Sequence, residues 1–250
     1  MNYYIITGTS RGLGNAIVKG LLNPDNYIFC ISRTRNEELI KLASRKKVGI
    51  EYITFDLLDV HKIKDIMDRI FLSINKNSIN SITLINNAGI LSPIKPIELC
   101  SSEEIDRNIR INLTAPMILT SSFISNTVDI NSERRIINIS SGAGKKPYYG
   151  WSNYCTSKSG IDFFTQCVAV EQLSKKNPVK IISFAPGIID TDMQAEIRKS
   201  KKECFEDVER FISFKTEGKL LQPDVVADYV IKLSKIDINS GDILDIKQFQ

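Results

Sequence analysis

A doubly wound α/β fold, one parallel sheet with helices on both faces, is what this 250-residue chain predicts. Three observations lead there. Short, nearly continuous Ile/Val/Phe runs alternate with longer segments of helical apolar spacing, the pattern of a parallel sheet buried on both sides. A glycine cluster, Thr7-Gly8-Thr9-Ser10-Arg11-Gly12-Leu13-Gly14, lies between the first apolar run and the first helical segment. The length suffices for one sizeable core, and no repeat, linker or low-complexity tract calls for a second. Residues 1–250 are therefore read as a single domain.

The elements follow in order. Residues 2–7 form a strand and 15–22 a helix, stopped by Asn23-Pro24-Asp25-Asn26 before a strand at 27–31. A short helix at 37–43 precedes a strand at 51–55, and the amphipathic segment 62–74 precedes a strand at 81–85 that runs into Asn86-Asn87-Ala88-Gly89. Residues 102–122 read as helix, interrupted or bent near Pro116, which has no N–H for the interior ladder. A strand at 135–139 leads into a Gly-rich loop at 141–150, then a long helix at 153–173, a strand at 179–184 and a last strand at 242–246. The sheet accounts least for residues 191–221, whose Phe205, Phe211 and Phe214 are expected to pack a small helical lid or a partner surface.

Composition narrows the function classes. Hydrophobic content of 42% and charged content of 25% describe a soluble globular chain, with no apolar run long enough for a membrane. The first strand begins by about Tyr3, which leaves no room for a signal peptide. Cys30, Cys100, Cys155, Cys167 and Cys204 form no close-spaced pair; this suits a reducing compartment, so a cytoplasmic location is expected. A net charge of +4 helps attract an anionic cofactor but gives no case for nucleic acid. The basic clusters Arg45-Lys46-Lys47 and Lys199-Ser200-Lys201-Lys202 are read as solvated faces. The one histidine, His61, sits in a surface turn or first helical turn, and no G-x-S-x-G elbow is present, which argues against a Ser-His-Asp hydrolase. No metal site is expected.

The glycine cluster has the strand-to-helix context of a phosphate-binding turn, so the fold is Rossmann-like. Gly8 permits the tight turn, Gly12 lets backbone approach a pyrophosphate, and Gly14 allows close helix–strand contact, with Ser10, Arg11 and Leu13 in the same turn. The helix N-terminus supplies N–H groups and partial positive charge. After the second strand stands Arg33, where an acidic residue would bind ribose hydroxyls. Arginine suits a 2′-phosphate, Arg11 adds a second charge, and NADPH/NADP+ is expected over NADH. Asp56 and Leu57 are placed at the adenine; Asn87, Ala88 and Gly89 are placed beside the nicotinamide ribose.

Tyr154 and Lys158, four residues apart on one helix, share a face. A free tyrosine titrates near pH ~10, too high for efficient acid–base work. A neighbouring ammonium is expected to lower that value, with help from the positive nicotinamide of the oxidised cofactor. Ser141 is positioned to donate to a carbonyl oxygen as charge develops, Tyr154 to protonate it, Lys158 also to hold the nicotinamide ribose, and Asn112 to anchor a water relay. Tyr148, Tyr149 and Trp151 are expected to flank a flat apolar substrate, with Met193 and the following segment closing over it.

Together these residues resemble the short-chain dehydrogenase/reductase family over essentially the whole chain. The likeness rests on Thr7-Gly8-x-x-x-Gly12-x-Gly14, Asn86-Asn87-Ala88-Gly89, Asn112, Ser141, Tyr154-x-x-x-Lys158 and Pro186-Gly187 with Thr191. The resemblance adds Pro186, Gly187, Ile189 and Thr191 to the cofactor residues, with Thr191 on the nicotinamide carboxamide. It also implies a homodimer or homotetramer assembled through the long helix. A narrower resemblance is to bacterial sepiapterin-reductase-like enzymes, particularly the (S)-benzoin-forming benzil reductases. It is carried by Tyr3-Tyr4-Ile5-Ile6-Thr7-Gly8-Thr9-Ser10, by residues 113–120 and 141–145, and by Asp192-Met193-Gln194-Ala195. It implies NADPH-dependent reduction of one carbonyl of an α-diketone, and it aligns Asp245 with the aspartate that anchors a pterin. Other ketone, sepiapterin or 3-oxoacyl reductases remain alternatives within the class. Outside it stand a methyltransferase, opposed by Arg33, and a non-catalytic NADPH sensor, which has little need of Ser141, Tyr154 and Lys158.

Overall fold

The computed structural model describes residues 1–249. Seven parallel strands, β1 (Asn2–Thr7), β2 (Asn26–Ser32), β3 (Gly49–Thr54), β4 (Ser81–Asn86), β5 (Glu133–Ile139), β6 (Lys180–Ala185) and β7 (Ile243–Asp245), form one sheet in the order β3-β2-β1-β4-β5-β6-β7. Alternation along each strand feeds two separate cores. In β1, Tyr3 and Ile5 point into one core, Tyr4 and Ile6 into the other. The first core is closed by α3 (Ile63–Ser73), α5 (Ala115–Asn126) and α6 (Ser152–Gln172). The second is closed by α1 (Gly12–Gly20), α2 (Glu37–Arg45) and α9 (Pro223–Leu233). Strand order reverses between β1 and β4, which leaves a crevice beyond their carboxyl ends.

Three elements differ from expectation. Helix α1 begins at Gly12, three residues before its apolar spacing becomes visible, because the turn itself supplies the first helical residues. Helix α9 is not signalled by the periodic runs noted above, yet Pro223 at its start and buried Val226, Ala227, Val230 and Leu233 pack it on α1. The 102–122 segment is α4 (Ser102–Ile109), a π turn at Arg110–Thr114, then α5. Pro116 has no N–H for the Asn112 carbonyl, and the Ala115 N–H reaches back five residues to Arg110. The bend therefore lies just ahead of the proline, at Asn112. The 191–221 segment folds as α7 (Asp192–Arg198) and α8 (Val208–Thr216) around a small aromatic cluster. His61 is exposed in a single 3-10 turn, and both basic clusters contain exposed lysines.

Candidate active site

The carboxyl ends of β1, β4, β5 and β6 open onto one cavity of about 890 Å³. Its dinucleotide half is built by crowding. Gly8 and Gly12 have φ of +72° and +58°, a left-handed conformation that favours glycine. A Cβ on Gly14 would overlap the Gly8 carbonyl oxygen and the Asn87 side chain. Asn87 fixes this approach from β4: its Nδ2 donates to the Thr7 carbonyl at 2.8 Å and to the Gly8 carbonyl at 3.2 Å. Thr7 Oγ1 in turn accepts from the N–H groups of Asn87 and Ala88. Arg11, extended ahead of α1, gives the helix no side-chain cap, and its first turn holds no acidic residue. The N–H groups of that turn therefore suit an anion, and the crevice fits a dinucleotide pyrophosphate.

Ser10, Gly12, Leu13, Arg33, Asp56, Leu57, Ala88, Gly89, Pro186, Gly187, Ile189 and Thr191, the residues assigned to the cofactor from sequence, all line this cavity. Arg33 is exposed there. Arg11 also lines the cavity and reaches Asp192 at 2.8 Å, joining the glycine turn to α7. Both side chains are largely solvated, and such a pair is worth only about 0 to 1 kcal/mol. The Asp56 carboxylate accepts from the Leu58 N–H at 3.0 Å, which sets the turn around the buried Leu57.

The chemical half is contributed by β5 and α6. Ser141 precedes a 3-10 turn, Gly142–Gly144, and its Oγ accepts from the Ala143 N–H at 3.2 Å. Tyr154 and Lys158 are both buried on α6, with the Lys158 Nζ 5.7 Å from the Tyr154 ring centre and donating to the Ile139 carbonyl at 2.8 Å. Burial pushes Tyr154 up to about 12, opposed by its hydrogen bond with Ser141. Burial pushes Lys158 down to about 8, opposed by Asp162. The expectation that the ammonium lowers the tyrosine is thus corrected: desolvation of the phenolate raises it, and the opposing influence comes from Ser141. Below pH 8 the pair is a neutral phenol beside an ammonium, the state required to donate a proton.

Asn112 is the residue expected to anchor a water relay. It does not line the cavity; it is buried behind Gly89, where its Oδ1 accepts from the Ile90 N–H at 2.8 Å and its Nδ2 donates to the Ile90 carbonyl at 2.7 Å. Further bonds to Asn108 and Ser157 complete the amide's partners. Because the π turn turns this side chain toward the β4 loop, it clamps that loop from behind. The position is legible in the chain; the clamp depends on a backbone irregularity that spacing cannot show.

On the substrate side, Tyr148, Trp151, Met193 and Asp245 line the cavity. Trp151 stacks on Phe205 at 4.5 Å and meets the Tyr154 ring edge-on at 5.8 Å, while Tyr148 lies 4.9 Å from Trp151. Phe211 and Phe214 extend this wall. Tyr149, grouped with these rings on sequence, is corrected: it is exposed and lies off the wall, since adjacent residues in the loop face apart. The Asp245 carboxylate accepts from the Lys247 N–H at 3.1 Å and stands 3.9 Å from Lys145.

Sequence reasoning missed the support behind these groups. Asn86 donates to Asn138 at 2.8 Å and Asn138 to Thr165 at 2.9 Å, a buried chain that ties β4, β5 and α6 together beneath the site. Asp162, also missed, is buried one turn beyond Lys158. Its spacing from Lys158 was visible, but its burial was not. All five cysteines are free thiols, and among the described residues no cluster of metal-ligating side chains occurs.

A dinucleotide crevice sharing one cavity with Ser141 and with the buried Tyr154 and Lys158 defines an NAD(P)-dependent oxidoreductase of carbonyl and hydroxyl groups. The chain belongs to the short chain dehydrogenase family, whose model matches residues 2–202. It is 48% identical over 249 residues to a benzil reductase ((S)-benzoin forming) of Bacillus cereus, across 99% of this chain and 100% of that one. It is 39% identical to the enzyme of the same name from Bacillus subtilis (strain 168), across the full length of both. Among solved structures it superposes on the KRED1-Pglu enzyme with a TM-score of 0.83 at 27% identity, covering 98% of this chain and 100% of that one.

Proposed function

We propose that this protein is an NADPH-dependent carbonyl reductase that reduces one carbonyl of an α-diketone such as benzil to the (S)-hydroxyketone. The observation that carries the reading is the convergence of Ser141, Tyr154 and Lys158 on the cavity that also holds the glycine turn. The Ser141 hydroxyl donates to the substrate's carbonyl oxygen, and the Tyr154 hydroxyl gives that oxygen its proton as negative charge develops there. Lys158, held by the Ile139 carbonyl, stabilises the phenolate that remains and binds the nicotinamide ribose. The crevice lined by the glycine turn, Gly89, Pro186 and Thr191 would hold a reduced nicotinamide dinucleotide, whose chemistry would be hydride donation to the carbonyl carbon. Asn112 acts from behind, by holding the Gly89–Ile90 backbone.

The substrate assignment is supported by the rings of Tyr148, Trp151, Phe211 and Phe214 on the wall, which suit a flat aromatic body, and by the two benzil reductases at 48% and 39% identity. Residues 191–221, with Met193 on the wall and α8 contributing its rings, act as the substrate-side lid. Exposed Arg33 supports NADPH over NADH, with Arg11 free to exchange its solvated Asp192 partner for a phosphate. The second reading, a sepiapterin reductase, is favoured by Asp245 on the same wall, although that carboxylate already faces Lys145 and the Lys247 N–H. We place the enzyme in the cytoplasm as a homodimer or homotetramer. No helix among the described residues is long and apolar enough to cross a membrane, and α6 exposes Phe163 and Val170, with Leu173 just beyond its end.

Oxidation of NADPH and NADH by the purified protein, followed across benzil, sepiapterin, simple ketones and 3-oxoacyl thioesters, tests the assignment. NADPH-dependent turnover fastest on benzil with (S)-benzoin as product is expected. Faster turnover of another carbonyl class replaces the substrate, and tight NADPH binding without turnover of any carbonyl overturns the reading as a reductase.

A further inference from the structure

One buried carboxylate takes no part in the scheme above. Asp162 lies on α6 one helical turn past Lys158 and is 8% exposed. Its Oδ1 accepts from the hydroxyl of Ser183 on β6, which itself approaches the Asn138 carbonyl of β5. Its Oδ2 lies against the turn that follows Ser141: a Cβ on Gly144 would stand 2.7 Å from that oxygen and 2.9 Å from the Lys158 carbonyl. The carboxylate thus touches the scaffold of both halves of the chemistry, the helix that carries Lys158 and the turn that carries Ser141.

A buried, ionised carboxylate is costly unless a partner charge or hydrogen bonds offset it. Of the groups around Lys158, the Ile139 carbonyl supplies a hydrogen bond, Tyr154 and Ser141 are neutral, and Gly89 offers only backbone. Asp162, four residues on and buried on the same face of α6, makes no direct ion pair with Lys158, but at that spacing and out of water its charge favours the ammonium against the burial of the lysine. From this geometry we propose that Asp162 is a positioning residue of the reduction: a buried counter-charge that keeps Lys158 an ammonium beside Tyr154 and seats the Ser141 turn through Gly144. The proposal rests on the reading of Tyr154 and Lys158 as the proton-transferring pair.

Carbonyl reduction requires Lys158 protonated, so activity falls as pH rises through about 8. Asp162→Asn keeps the side-chain shape and an acceptor for Ser183 but removes the charge, so this alkaline limb of kcat/KM moves to lower pH, by about one unit or more. Activity at about one unit below the wild-type limb then drops roughly 10-fold or less, while the loss at lower pH is smaller. Asp162→Glu retains the charge and restores the wild-type limb. Asp162→Ser removes the same charge with a smaller side chain and serves as the readout where the asparagine variant does not fold. A merely structural role predicts loss by the same factor at every pH, and an alkaline limb unmoved in the neutral variants overturns the proposal. Failure of the parent reading is distinguished by the wild type itself, which then shows no carbonyl turnover and no limb to move.

Discussion

Two buried side chains one helical turn apart are driven in opposite directions by the same desolvation: Tyr154 keeps its proton more tightly, Lys158 holds its own less tightly. In the proposed reduction this leaves Tyr154 carrying the proton it gives and Lys158 as the cation that stabilises what remains. Replacing Tyr154 by phenylalanine removes the only proton donor on the carbonyl oxygen besides Ser141. We expect carbonyl turnover to fall by roughly 100-fold or more, with the NADPH dissociation constant, read by fluorescence titration, nearly unchanged. Comparable turnover in a folded variant would remove Tyr154 from the proton step. At the adenosine end the proposed discriminating group is Arg33. Its replacement by alanine is expected to weaken NADPH by roughly 10-fold or more, a charge-assisted contact of about 1.5 to 3 kcal/mol, and to leave NADH within about twofold. Equal changes in the two dissociation constants count against a phosphate contact.

At the scale of elements, the site depends on places where chain segments approach more closely than side chains allow. Gly14 lies where α1 meets the end of β1, and any Cβ there overlaps the Gly8 carbonyl oxygen. Gly14→Ala should cost about 1 to 3 kcal/mol, seen as a melting temperature lower by several degrees, with NADPH affinity reduced alongside it. An unchanged melting temperature and affinity would show that the turn can open without cost. The 191–221 segment shows a different dependence. Phe205 is fully buried and stacked on Trp151, so Phe205→Ala removes the centre of the aromatic cluster at a cost of about 3 to 5 kcal/mol in a packed core. Because that cluster is separate from the two sheet cores, the loss is expected as local loosening of α7 and α8. A raised KM for benzil with cooperative unfolding of the sheet little changed is the expected result; a uniform drop in global stability with KM unchanged would place Phe205 in the scaffold instead.

At the scale of the whole molecule, the sheet order brings the ends of β1, β4, β5 and β6 to one edge, so residues separated by more than a hundred positions in sequence share one cavity. The faces turned away from it are not all polar: Phe163 and Val170 on α6 are about two-thirds exposed and Leu173 more so. If this face joins subunits, Phe163→Glu should lower the molar mass measured by light scattering to that of a monomer, and a wild type already monomeric would overturn the assembly.

Much of this was legible in the chain because the signals are local. Alternating apolar runs placed all seven strands to within a few residues, and the glycine cluster, Ser141 and the Tyr154/Lys158 spacing marked both halves of the site, since a turn needing positive φ and a shared helix face are properties of short stretches. The fold class, the glycine turn and the shared face of Tyr154 and Lys158 could thus be read from the chain alone. Other features arise only on folding. The π turn that sends Asn112 behind Gly89, the separation of Trp151 from Tyr149, the pairing of Arg11 with Asp192 and the burial that raises Tyr154 all depend on which distant segments pack together. Desolvation belongs to the surroundings of a side chain, not to its neighbours in sequence. The same holds for Asp162, whose spacing from Lys158 is printed in the chain but whose charge matters only because β6 and the Ser141 turn exclude water from both.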